Sequence, residues 1–167
     1  MSALLERHAA VAGRGVLDQI EALARPLRGL QIVHVNSTRS GGGVAEILTW
    51  MVPSLNHLGL VARREIVTGD RAYFDCTKAF HNGLQGHAVA LSDSLVQVYE
   101  QTNRLNADRL RDGLHGADLV VVHDPQPAPL LGLVPERKGI WIWRCHIDAS
   151  RPYRPVWKYL RRHVARY

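Results

Sequence analysis

Residues 30–48 read LQIVHVNSTRSGGGVAEIL, and this stretch decides the fold. An apolar, β-branched run comes first, then a polar turn, three glycines at 41–43 and the opening of an amphipathic helix. Glycine permits a tight turn and lets the backbone approach a ligand with no Cβ in the way. A helix that starts there aims its free N–H groups and the positive end of its dipole back at that ligand. Strand, glycine loop and helix N-terminus together suit a phosphate or another anionic group. The GxxxxGK[ST] loop and the GxGxxG dinucleotide fingerprint are both absent, so the segment is neither of those nucleotide cradles. A glycine turn of this kind also serves strand–helix packing alone, and residues elsewhere must decide between the two uses.

Outward from this segment, apolar periodicity alternates between strand and helix. Residues 16–28 place Leu17, Ile20, Leu23 and Leu27 on one helical face, with Pro26 set to end or kink it. Residues 30–35 form the first strand. Residues 44–58 form a helix that Pro53 should kink and Gly59 should stop. Residues 61–67 form a second strand, and residues 74–84 form short helical turns. Ser92 or Asp93 caps the next helix, which carries Leu95, Val98, Tyr99, Thr102 and Leu105. Residues 117–123 are a continuous β-branched strand, as a buried parallel sheet requires. Residues 140–147 are a tryptophan-rich strand, and residues 155–167 a final helix. The alternation predicts an α/β fold, a doubly wound parallel sheet of Rossmann-like type.

The chain of 167 residues fits one domain, and 46% hydrophobic with 22% charged residues is ordinary for a globular protein. No apolar run reaches the roughly 18 residues of a membrane span, so no membrane partner is expected. The N-terminus carries Glu6, Arg7 and His8 early and lacks the long apolar core of a secretion leader. Cys76 and Cys145 match no CxxC pattern, which fits a reducing cytoplasm without disulfides.

The net charge of +6 is concentrated in Arg151, Arg154, Lys158, Arg161, Arg162 and Arg166. Interleaved Tyr153, Trp157, Tyr159 and Tyr167 open a nucleic-acid reading. The preferred reading is an amphipathic helix whose aromatic face packs and whose basic face is solvated, with no nucleic-acid partner. A basic domain also attracts an anionic sugar nucleotide.

In an open parallel sheet, ligands bind at the carboxyl ends of the strands. The first strand leads into Asn36 and Ser37. The 117–123 strand ends in His123, Asp124 and Gln126. The tryptophan-rich strand ends in Arg144, His146 and Asp148. Three loops can thus line one cleft with amides, imidazoles, carboxylates and a guanidinium, groups that recognise sugar hydroxyls by directional hydrogen bonds. Each has a structural alternative. His146 is equally a buried histidine satisfied by backbone, Asp124 a cap for a short helix within 127–133, Asp148 a cap for the segment after it, and Arg144 a partner for a structural carboxylate. His123, Asp124, His146 and Asp148 are metal-ligating residue types, but their spacing matches no ligand motif, and no metal is assigned. No GxSxG elbow signals a serine hydrolase.

Four motifs in order, VNSTRSGGGVAEIL, TKAFHNGLQG, HDPQPAPL and WIWRCHIDAS, resemble glycosyltransferring trehalose synthases and the similar trehalose phosphorylases of glycosyltransferase family 4. The resemblance covers residues 15–160. It implies that residues 1–167 are the N-terminal, acceptor-side half of a two-domain GT-B fold, with the C-terminal nucleotide-binding domain absent. It implies transfer of glucose from a nucleoside-diphosphate glucose to glucose with retention, forming α,α-trehalose. No carboxylate pair announces double displacement, which fits a front-face mechanism. By the same resemblance His146 holds the donor glucose, Gly42 and Gly43 approach the donor diphosphate, and Asp124 and Gln126 lie on the acceptor side. Asn36, Arg144 and Asp148 complete the candidate substrate-binding set. The donor is a substrate rather than a cofactor, and Mg is compatible but not required. Expected partners are glucose, trehalose, a sugar nucleotide, and either the missing domain or a second copy through the Tyr153, Trp157 and Tyr159 face. Activity alone is expected to be weak or absent. The alternatives are a phosphorylase half-domain and a non-catalytic sugar-binding or assembly module.

Overall fold

The computed structural model describes residues 3–167, with side chains from Arg7 onward. The expectation about a leader rests partly on Met1 and Ser2, which lie outside the described residues. In chain order the elements are α1 (Ala3–Ala12), α2 (Arg14–Ala24), a 3-10 turn (Arg25–Leu27), β1 (Gln31–Asn36), α3 (Gly43–His57), β2 (Val61–Ile66) and α4 (Arg71–Leu84). The chain continues through α5 (Asp93–His115), β3 (Leu119–His123), α6 (Leu130–Leu133), β4 (Ile140–Arg144) and α7 (Arg154–Val164).

The strands form one sheet in the order β2-β1-β3-β4, and every pairing is parallel. Alternation along each strand separates two layers. Val33, Val35, Val120, Val122 and Trp141 pack with Ala107, Leu110 and Leu114 of α5 and with Leu130 and Leu131 of α6. Ile32 and Ala62 pack with Ala24 of α2 and with Val52 and Leu55 of α3 on the other face. Burying each valine or leucine contributes about 1.5–3 kcal/mol. Helices on both faces of a parallel sheet make the expected doubly wound, Rossmann-like architecture. A second core joins α4, α5 and α7 around Tyr73, Phe80, Tyr99, Val156, Tyr159 and Leu160.

Several expectations are refined. Pro26 ends α2 by turning the chain into the 3-10 segment. Pro53 lies inside α3 without ending it, and Gly59, with φ of 93°, follows the C-cap Leu58. Ser92 caps α5, accepting the Leu95 N–H. The short turns expected over 74–84 are one continuous helix, α4. Asp70 caps it by accepting the Tyr73 N–H at 2.8 Å. Its buried side is Tyr73, Cys76, Thr77, Phe80 and Leu84, a helical stripe that Cys and Thr disguise as polar. The apolar face expected on residues 16–28 is not a core face throughout. Leu17 is buried, but Ile20, Leu23 and Leu27 are exposed, and α2 joins the core beneath the sheet through Ala24.

On α7, Val156, Tyr159 and Leu160 are buried, Tyr153 and Trp157 pack against the same core, and Lys158, Arg161 and Arg162 face water. The packed-aromatic reading of this helix therefore holds, and these rings are not free to serve as a self-association face. Among the described residues, no helix is long and apolar enough to cross a membrane.

Candidate functional site

Chain order and strand order diverge between β1 and β3: β2 follows β1 on one side, while β3 and β4 lie on the other. Such a reversal opens a crevice at the carboxyl ends of the two strands. A cleft of about 240 Å³ lies there, lined by Asn36, Ser37, Thr38 and the three glycines on the β1 side and by His123 and Asp124 on the β3 side. The glycine loop and the HDPQ segment, about 80 residues apart in sequence, meet at this point.

The glycine loop is held from beneath. Gly41 and Gly42 have φ of 75° and 88°, in the left-handed region that favours glycine. Gly43, the first residue of α3, lacks that requirement, and a methyl there would meet nothing within 4 Å. Neither packing nor backbone conformation demands glycine at position 43. Gly42 caps α3 without a side-chain hydrogen bond, leaving first-turn N–H groups for a ligand. Asn36 donates to the Thr38 carbonyl at 2.7 Å and accepts from Arg64 Nε at 2.8 Å. Arg64 of β2 also donates to the carbonyls of Thr38 and Ala45. One guanidinium thus ties the end of β1, the loop and the first turn of α3 together. Asn36 is a pin within this brace, and its side-chain nitrogen and oxygen are both committed to it.

Asp124 fastens β3 to β4. It is the one non-glycine among the described residues with positive φ, 63°. Its N–H donates to the Arg144 carbonyl at 2.9 Å, its carbonyl accepts from Trp143 Nε1 at 2.8 Å, and Oδ1 accepts the His146 N–H at 2.7 Å. Burial raises its carboxyl above the usual range, and the hydrogen bond from His146 partly offsets this. The helix-cap alternative is not realised: Pro129 stands at the start of α6, with no side-chain cap.

Three imidazoles cross the sheet beside this staple. His34 Nδ1 lies 3.0 Å from His123 Nε2, and His123 Nδ1 lies 2.8 Å from His146 Nε2. Register explains the staircase. His34 of β1 is opposite Val121, two residues before His123, and His123 is opposite Arg144, two residues before His146. A two-residue step keeps side chains on one face, so each ring meets the next diagonally. Burial lowers the His34 pKa to about 4, assisted by the charge of Arg144. Burial, followed by the neighbouring imidazoles, Arg144 and Arg64, lowers that of His123 to about 3. Both rings are neutral at pH 7.

The loop after Asp124 is buttressed by tyrosine hydroxyls. Tyr99 of α5 donates to the Pro125 carbonyl at 2.6 Å, Tyr73 of α4 to the Gln126 carbonyl at 2.9 Å, and Tyr167 to the Ala128 carbonyl at 2.9 Å. Desolvation raises the pKa of all three, so they remain protonated donors.

The structure therefore brings together Asn36, Gly42, Gly43 and Asp124 around the cleft, with His146 joined to them through Asp124 and His123. Gln126 contributes its main chain to the buttress and does not line the cleft. Arg144 is exposed at the end of β4 and forms no carboxylate pair among the described residues. Asp148 is exposed outside the cleft and stabilises its own turn by accepting the Ser150 N–H at 3.0 Å, which holds its carboxyl below the usual range. Among the described residues, no three His, Cys, Asp or Glu side chains are grouped to hold a metal ion. Cys76 and Cys145 are free thiols.

Sequence reasoning missed His34, Arg64 and the three tyrosines. His34 sits within the buried run of β1, and Arg64 belongs to a pair of consecutive arginines in the half-buried strand β2; a titratable or charged residue inside a strand was the available signal.

A doubly wound parallel sheet with a braced glycine loop and a cleft at its switch point defines a Rossmann-like domain. The chain belongs to the family described as the N-terminal domain of trehalose synthase, whose model matches residues 34–167. It is 43% identical over 164 residues to a trehalose synthase of Pyrococcus horikoshii, covering 98% of this chain and 39% of that protein. The trehalose synthase of Thermococcus litoralis shows the same identity and coverage. That of Rubrobacter xylanophilus is 41% identical over 169 residues, covering 98% of this chain and 40% of the relative. The chain thus spans about two fifths of the length of these curated relatives.

Proposed function

We propose that this domain supplies the acceptor side of a retaining glucosyltransferase that forms α,α-trehalose from a nucleoside-diphosphate glucose and glucose. The observation that carries this reading is the convergence of the glycine loop with His123 and Asp124 on one cleft, with His146 hydrogen-bonded to both of the latter, in a chain of the trehalose synthase family. In this scheme the first-turn N–H groups of α3 and the Cβ-free surface at Gly43 receive the departing diphosphate. His146, fixed by Asp124 through its main chain, hydrogen-bonds the donor glucose. Asp124 offers its remaining carboxylate oxygen to the acceptor hydroxyl. Catalysis then rests on orienting the two sugars and stabilising the leaving diphosphate. A further domain of the GT-B architecture reads the nucleotide base and completes the site, so this chain alone binds sugar but turns it over weakly or not at all.

Calorimetric titration with glucose, trehalose, UDP-glucose and ADP-glucose tests this reading. Saturable sugar binding that His146→Ala weakens about tenfold or more supports it. Sugar affinity unchanged by His146→Ala, or full-rate trehalose synthesis by this chain alone, overturns it. Burial of the aromatic face of α7 argues against the alternative of an assembly module docking through that face.

A further inference from the structure

We propose that His123 and His34 are positioning residues, and that the chain of ring contacts from His34 through His123 to His146 locks His146 in the tautomer that carries its hydrogen on Nδ1. The functional meaning rests on the reading of His146 as a sugar ligand, but the tautomer is measurable without any sugar.

Hydrogen counting restricts the choices. A neutral imidazole has one N–H and one bare nitrogen. His123 uses both nitrogens within the chain, so it donates to one neighbour and accepts from the other. Only two arrangements satisfy both contacts. In the first, His34 Nδ1–H donates to His123 Nε2, and His123 Nδ1–H donates to His146 Nε2. The hydrogen of His146 is then on Nδ1, and His34 Nε2 is bare. In the second, every donor is reversed, and His34 Nε2 carries a hydrogen.

The far end of the chain decides between them. His34 Nε2 is buried and has no hydrogen-bond partner among the described residues. The second arrangement strands an N–H donor there, whereas the first leaves a bare lone pair. Orphaned buried N–H groups are the rarer defect in folded proteins. Burial and the nearby guanidiniums of Arg144 and Arg64 keep the middle ring neutral, which preserves its one-donor, one-acceptor character.

The consequence for His146 is specific. His146 is anchored twice, by its main-chain N–H on Asp124 Oδ1 and by its ring Nε2 on His123 Nδ1. Its remaining ring nitrogen, Nδ1, is a hydrogen-bond donor. A sugar oxygen that meets it is recognised as an acceptor.

Long-range proton–nitrogen spectra of the histidine rings in the labelled full chain at pH 7 test the assignment, with single-histidine variants identifying the signals. The expected result is a protonated Nδ1 and a bare Nε2 on His34, His123 and His146. The reverse pattern on His146 overturns the proposal. In His123→Phe, which keeps ring volume but removes both nitrogens, the His146 nitrogens should move to values averaged over both tautomers. A locked Nδ1–H that survives this change also overturns it. His123→Asn, which restores a side-chain N–H near the Nδ1 position, should recover the lock. If His123→Phe fails to fold, the spectrum of the unaltered chain still decides. Calorimetry with glucose separates the two claims: a locked His146 in a chain that binds no sugar defeats the proposed function alone, and the opposite tautomer in a chain whose sugar binding needs His146 defeats this inference alone.

Discussion

Asp124 Oδ1 receives the main-chain N–H of His146 at 2.7 Å from a backbone in the left-handed region. The strained residue and the candidate sugar ligand are therefore one construction. Asp tolerates this region better than most residues, and Asn tolerates it as well while retaining an acceptor oxygen. Asp124→Asn should keep stability within about 0.5 kcal/mol of the parent. Asp124→Ala removes the acceptor and places a poor residue at positive φ, so it should cost about 1–3 kcal/mol. For a chain of this size that is a fall of roughly 2–12 °C in Tm. Equal melting of the two variants would disprove the staple.

The buried imidazoles set a pH dependence of known sign. His34 and His123 have folded pKa values near 4 and 3, below the unfolded value of 6.5. The unfolded chain therefore binds more protons in this range. The contribution is complete above pH 6.5 and is lost as the pH falls toward 4, at up to about 1.4 kcal/mol per pH unit for each ring. Urea midpoints measured at pH 7.5, 6 and 5 should drop progressively. A midpoint that stays constant over this range contradicts neutral burial of the two rings.

Gly42 and Gly43 separate fold from function. Gly42→Ala forces a side chain into φ of 88° and should destabilise by about 1–2 kcal/mol. Gly43→Ala meets open space with ordinary φ at a helix start, and its stability should match or slightly exceed the parent. If a diphosphate or sugar rests on this loop, Gly43→Ala should nevertheless weaken its binding at least tenfold. Thermal melting and calorimetry on the same two variants provide the comparison.

Arg64 supplies the brace through at least two nitrogens at once, a geometry that an ammonium cannot reproduce. Arg64→Lys should behave nearly like Arg64→Ala, each costing about 1–3 kcal/mol and raising amide exchange in residues 37–45. Exchange restored to parental rates by lysine would reduce the brace to a charge effect.

Tyr99→Phe tests the buttress. It removes one fully buried hydroxyl and leaves the Pro125 carbonyl without its donor, a loss of about 1–3 kcal/mol. The ring remains, so a smaller penalty seen by denaturation would mean that the aromatic packing with Phe80 and Tyr159 carries the contact.

The parts of this molecule that are legible in its sequence are those governed by local pattern. The β-branched runs at 30–35 and 117–123, the glycine triplet and the Ser92 cap announce themselves within a few residues, and their assembly into a parallel sheet follows from alternation. The strand ends that border the cleft are legible for the same reason, because polar residues there interrupt apolar runs. The illegible part is non-local. His34 meets His123 across 89 positions, and Tyr73 reaches the Gln126 carbonyl across 53. Neither contact leaves a periodic trace. Asp124 reads as a helix cap because caps are local, whereas its partners lie on the neighbouring strand.

The imidazole staircase runs transverse to the strands and needs β1, β3 and the segment after β4 in their final register before its second contact can close. A slip of one residue in either pairing would turn the rings to opposite faces. The row of imidazoles beside the cleft therefore has no existence ahead of the completed sheet. If the domain binds sugar as proposed, refolding should regain that affinity in the same kinetic phase as the last strand pairing, with no populated species that is native in secondary structure yet unable to bind.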